Sequence, residues 1–141
     1  MNCFGVTNGN ERVPIIVYDS AQECLEAYLG CPLEQAGSME GYNSKGIRYS
    51  YSPEEALERI KKKRCWGFCS DKEALHLWKD ESCDVGTFIE LIAHERGHMC
   101  RPHHRSQDLE EIKANQYGEI ARFAYEVGLH VQECYAAKAE S

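Results

Sequence analysis

The residues that most constrain this chain are His94-Glu95-Arg96-Gly97-His98, an HExxH run set in a largely apolar stretch over 85–99. That stretch holds no proline, and Pro102 cannot continue it, so the pattern predicts one helix over 85–99. Positions i and i+4 share a helix face one turn apart, so two imidazoles there can both reach one metal ion at about 2.0–2.1 Å. Glu95 is rotated off that line. It need not touch the ion and can instead take a proton from a water beside it. A shuffled chain of this composition would contain HExxH with a chance of about 0.03. The competing reading, buried histidines that satisfy core hydrogen bonds, is therefore decided by whether a third ligand exists.

Glu111 in Glu111-Ile112-Lys113-Ala114-Asn115 is the candidate. Alone it would read as a solvated acid of a first helical turn, where a negative charge suits the helix dipole. It opens, however, a stripe of small residues at helical spacing: Ala114, Gly118 and Ala121. Small residues let two helices approach to the usual axis separation of ~8–10 Å or below it. A carboxylate on one helix needs that approach to meet two histidines on another. Asn115 lies one turn beyond Glu111 on the same face and is placed to orient a ligand histidine. An inferred His2Glu set with an open position favours zinc, one ion per chain.

LIAHERGH followed by EEIKANQY resembles the HExxH…ExxA(N/D) signature of gluzincin metallopeptidases, and is most similar to ImmA/IrrE-like and phage-encoded minimal zincins. The resemblance covers roughly 65–127. It implies a zincin-like fold and a metallopeptidase in which His94, His98 and Glu111 hold zinc and Glu95 activates a water bound there. It further implies that ALHLW, at 74–78, is the edge strand that holds an extended substrate by strand addition. Arg96 departs from the apolar or small residue common at its position, which alters packing or places a charge near the rim. The substrate would be a protein or peptide of narrow choice, such as one regulatory protein. Two rivals stay open: a non-catalytic, zinc-stabilised regulatory or partner-binding protein of a mobile element, and a hydrolase of a non-peptide amide.

His104 competes as third ligand because it stands six residues after His98, the metzincin spacing. Arg101 occupies the glycine position of that pattern, and Met1, Met39 and Met99 all precede His104, so no methionine turn follows. Glu111 is preferred. His103, His104 or Tyr117 can polarise a substrate carbonyl, although each reads first as an ordinary surface residue. His76 and His130 lack a partner pattern, and Cys100 reads as a small buried hydrophobe.

The remaining sequence is that of one domain spanning 1–141. The formal net charge of −7 disfavours nucleic acid as a partner. The one basic run, Lys61 to Arg64, reads as a solvated helix end. No stretch approaches the ~18 apolar residues of a membrane span, and the first residues show no apolar leader core, so the expected location is the cytoplasm. The eight cysteines include no CxxC pair and read as reduced, mostly buried thiols, with a second zinc site as the weaker alternative.

The pattern predicts an α+β fold: a small mixed or antiparallel sheet, an active-site helix and a C-terminal ligand helix packed beneath it. A strand is expected at 13–18, a helix from Asp19 or Ser20 to Leu29 stopped by Gly30, and a loop over 31–50. Ser52 should cap a second helix, with Pro53 in its first turn and Glu55 closing a capping box. A hairpin should join 65–69 and 74–78 through a turn at 70–73. Thr87 and Glu90 are expected to box the start of the HExxH helix. The last helix, from near Ser106 into the 130s, should bury Leu109, Ile112, Ile120, Phe123, Val127 and Val131 as its core stripe.

Overall fold

The computed structural model describes the backbone at 2–8, 11–42, 45–70 and 74–140, with the side chains at 2–4, 6–8, 11 and 42 left aside. The chain is α+β. Strands β1 (Asn2–Asn8), β2 (Glu11–Val17), β5 (Cys65–Ser70) and β6 (Ala74–Lys79) form a mixed sheet in the order β1-β2-β6-β5. Only the β2/β6 pair is parallel; β1/β2 and β5/β6 are antiparallel. Strands β3 (Met39–Tyr42) and β4 (Arg48–Tyr51) make a separate antiparallel pair. The helices are α1 (Ala21–Leu29), α2 (Pro53–Lys63), α3 (Val85–Met99) and α4 (Gln107–Glu140).

Side-chain alternation divides the sheet into two faces. Trp78 joins Leu25, Leu57 and Ile60 under α1 and α2, with Trp66 and Phe68 packed against that cluster. Leu75, Leu77 and Val13 face the other way, against Phe88, Leu91 and Ile92 of α3. The metal-motif helix thus rests on β5 and β6, and α4 packs on α3 rather than on the sheet.

Local signals position the first helices as expected. The Ser20 hydroxyl accepts the Glu23 N–H at 3.1 Å, and Gly30 ends α1 at φ 76°, a left-handed conformation that glycine adopts without Cβ strain. The Ser52 hydroxyl accepts the Glu55 N–H at 3.1 Å with Pro53 in the first turn. The β5/β6 hairpin forms in the register Trp66↔Trp78 and Phe68↔His76; the expected turn residues 71–73 lie outside the described residues.

Several expectations are corrected. The segment 31–50 is not one loop: it holds a short 3-10 turn (Leu33–Gln35) and the β3/β4 pair. Those strands are four residues each, and Gly41 hides the pattern because it makes room for the Tyr49 ring; a Cβ there would meet Tyr49 Cζ at 3.0 Å. The strand β1 (Asn2–Asn8) adds an antiparallel neighbour to β2 that no expectation included. The α3 cap is Asp84, which accepts the Thr87 N–H at 2.6 Å and the Thr87 hydroxyl at 2.8 Å. Glu90 instead accepts from Arg122 at 3.0 Å. The strand at 74–78 is not an edge: β6 pairs with β2 on one side and β5 on the other, which leaves β5 as the terminal strand. The proposed α4 core stripe is exposed along its whole length. The helix turns its small face inward instead, since only that face allows the close approach to α3.

Candidate metal centre

Two helices converge because glycine and alanine line their contact. A Cβ on Gly97 would meet Tyr117 Cδ2 at 2.9 Å and Ala114 Cα at 3.1 Å, and one on Gly118 would meet the Glu90 carbonyl oxygen at 3.0 Å. Ala114 is fully buried between them. The small stripe read from the sequence therefore forms the seam, and Gly97 inside the HExxH run is its counterpart on α3.

Across that seam Glu111 bridges the two histidines. Its Oε2 lies 3.3 Å from His94 Nε2 and its Oε1 lies 3.2 Å from His98 Nε2. The imidazole rings stand nearly perpendicular, 5.0 Å apart. Ligand atoms from all three residues fall within 4.8 Å of one another, and among the described residues this is the one such group of three or more. Zinc or another divalent ion fits this donor set chemically.

The outer partners strengthen that fit. His98 Nδ1 sits 3.2 Å from Glu110 Oε2, and the Asn115 side chain hydrogen-bonds His94. A neutral His98 that donates its Nδ1–H to Glu110 aims an Nε2 lone pair at the Glu111 carboxylate, which also carries only lone pairs. A cation between them removes the conflict, as does a second proton on the ring. Burial holds His94 below the usual histidine range, with Glu111 pulling the other way, so its neutral, metal-binding form is favoured.

Glu110 and Lys113 were not singled out from the sequence. Glu110 Oε1 accepts the His104 N–H at 2.8 Å and the Lys113 ammonium at 2.9 Å. Lys113, the buried cation of α4, also donates to the carbonyls of Cys100 at 2.6 Å and Pro102 at 3.0 Å. These bonds, that of Lys113 first, hold the Glu110 carboxyl down to about 2, so it stays an acceptor for His98. The available signal was the i, i+3 acid–base pair beside Glu111.

Glu95 sits differently. Its Oε1 is 3.9 Å from His94 Nε2, it is not part of the ligand group, and its residue is 9% exposed. Burial pushes its carboxyl up to about 8, and the nearby Glu111 charge adds to the rise. A carboxyl so placed exchanges protons near neutral pH.

The centre opens on a cleft of about 880 Å³ that follows β5 from Trp66 to Cys69. Tyr28, Tyr49, Tyr51 and Arg59 also line it, with the Arg59 guanidinium 5.3–5.4 Å from the two β4 tyrosine rings. Of the three residues considered for polarising a carbonyl, His104 borders this cleft, whereas His103 and Tyr117 are not among its walls. Tyr117 lies over Gly97. His104 is also outside the ligand group.

Cys69 borders the cleft, and the remaining histidines and cysteines lie outside the ligand group. His76 is held between the Tyr18 and Ser70 hydroxyls, 2.8 Å from each, and stacks on Phe68. His130 is exposed. The cysteines whose side chains are described form no disulfide. Burial pushes the Cys24 and Cys65 thiols up to about 12, which keeps them protonated. Cys100 contacts Arg96, its Sγ 3.6 Å from Nη1.

Among the described residues no helix is long and apolar enough to cross a membrane. Comparison with known families, with curated proteins and with solved structures found no match to this chain.

Proposed function

We propose that this chain is a zinc-dependent peptidase of the gluzincin kind, with a zincin-like arrangement of α3, α4 and the β5 edge. The observation that carries the reading is the division of labour among three carboxylates. Glu111 closes a ligand set with His94 and His98, Glu110 orients a ligand, and Glu95 stands beside the set without joining it. A zinc ion bound by the three would act as a Lewis acid and lower the pKa of a water toward ~7. Glu95 is the residue that would take that water's proton for attack on a peptide carbonyl and return it to the leaving nitrogen as the C–N bond broke. Among the described strands β5 ends the sheet, so its outer edge offers backbone donors and acceptors along the cleft to an extended peptide. A substrate segment added there would run past the metal ligands. The narrow-specificity reading, with a single regulatory protein as substrate, belongs to this proposal.

One observation favours the non-catalytic alternative, a zinc-stabilised partner-binding protein: α4 exposes a long apolar stripe away from the centre. Against it, a structural zinc is normally closed by four protein ligands, and three converge here. Glu95→Gln separates the two. It keeps shape and removes the base, so it should fold, bind zinc and lose about 10²–10⁴-fold or more in turnover in a peptide-library cleavage screen. Equal cleavage by the wild type and Glu95→Gln, on any substrate the wild type cleaves, would favour the alternative.

A further inference from the structure

The outer side of α4 has no partner within the described chain. Leu109, Ile112, Ile120, Phe123, Val127 and Val131 are between 44% and 69% exposed. Their spacing follows a 3-4-4 rule that repeats every eleven residues: Leu109, Ile120 and Val131 form one row, Ile112, Phe123 and Cys134 the next, and Gln116 and Val127 the third. A period of eleven gives about 3.67 residues per turn, close to that of an undistorted helix, so the stripe runs nearly straight along the axis. At about 100° per residue the stripe lies almost opposite Ala114, Gly118 and Tyr125, which face α3. The whole of 126–140 is exposed. A helical segment of that length is marginal in water unless tertiary packing supports it.

We propose that the stripe is a dimer interface, in which α4 pairs in parallel with α4 of a second copy of this chain. The six side chains offer roughly 600 Å² of exposed apolar surface, close to the ~800 Å² per partner of a standard interface. Aliphatic parts of the flanking residues supply the remainder. Charge selects the orientation. Asp108, Glu119, Glu126 and Glu133 line one edge of the stripe, and Tyr117, Ala124, Gly128 and Tyr135 line the other. An antiparallel pair would set the acidic edge against itself, whereas a parallel two-fold pair sets it against an edge whose one acid, Glu110, is already held by Lys113. None of the six stripe residues lines the metal cleft.

Sedimentation equilibrium of the full chain from about 1 to 100 μM tests this. The wild type should show twice the 16.1 kDa chain mass, and Phe123→Glu or Ile120→Glu should weaken association at least tenfold while metal content stays the same. Cys134 sits on the seam and reads the orientation. In a parallel pair two Cys134 thiols lie close; diamide oxidises them to one disulfide, taking up the two electrons and two protons to become its hydrazine. The cross-linked dimer should disappear in Cys134→Ser and in Phe123→Glu. A monomeric wild type, or a dimer indifferent to Phe123→Glu and Ile120→Glu, would overturn the interface. A dimer without the Cys134-dependent cross-link would overturn the parallel arrangement.

Discussion

Along one side of α4, Ala114 and Gly118 press against α3 and carry Glu111 and Asn115 to the histidines; along the other, Leu109, Ile120 and Phe123 face water. The usual expectation, large apolar residues inside and small or polar ones outside, is inverted. The difference shows that a helix placed to deliver a ligand is selected for closeness first. A carboxylate reaches two imidazoles on a neighbouring helix only where both backbones can approach, and bulky side chains would hold them apart. The apolar residues this displaces are left for a different contact.

The comparison predicts that ionisation and substitution on the inner side are felt by the fold and the metal, and that the outer side is felt by neither. The largest effect is in pH. Glu95 binds a proton up to about 8 in the metal-free folded chain, against 4.5 for the ordinary group. Between those values the folded state holds more protons than the unfolded one, so stability falls as pH rises. The change is on the order of 4 kcal/mol from pH 4.5 to 8, at about 1.4 kcal/mol per unit. Urea unfolding of the chelator-treated protein should show this loss, and Glu95→Gln should flatten it. A parallel pH slope in the two proteins would contradict the buried, protonated Glu95.

Next in size is the ligand assignment. Glu111→Ala should weaken zinc binding by more than the ~10–100-fold typical of outer partners, while His104→Ala leaves it within a few-fold. Competition with a zinc indicator gives both values, and the reverse ranking would shift the third ligand to His104. Smaller again is the seam itself. Gly97→Val drives a side chain into Tyr117 and the Ala114 backbone, and should cost about 1–3 kcal/mol in stability together with a loss of zinc affinity. Phe123→Glu, on the outer side, should leave zinc affinity unchanged; a comparable loss from both would erase the distinction between the sides.

Much of the centre was legible because its parts are local. HExxH places two histidines by helix periodicity alone, and the 111/114/118/121 spacing announces a close helix contact. Gly97 completes that contact from within the motif. What escaped was non-local or brief. Glu110 differs from Glu111 only by about 100° of helical rotation, and its contacts with His98 and His104 depend on how the 100–104 segment folds back. The α1 and α2 boundaries followed from caps that act within three residues. Strand order has no such local code: ALHLW resembles an edge strand in composition, yet the parallel pairing of β2 with β6 moves the edge to β5. The apolar period of α4 marks a face that the structure turns outward, because periodicity reports a face and not what covers it.

The most direct test of the account is metal content. Protein prepared with zinc available and dialysed free of loosely held ions should carry one zinc per chain by elemental and native mass spectrometry. The His94→Ala, His98→Ala double variant should carry none and remain otherwise helical. Full zinc occupancy in that double variant, or a wild type that takes up no metal, would contradict the centre on which every functional step here depends.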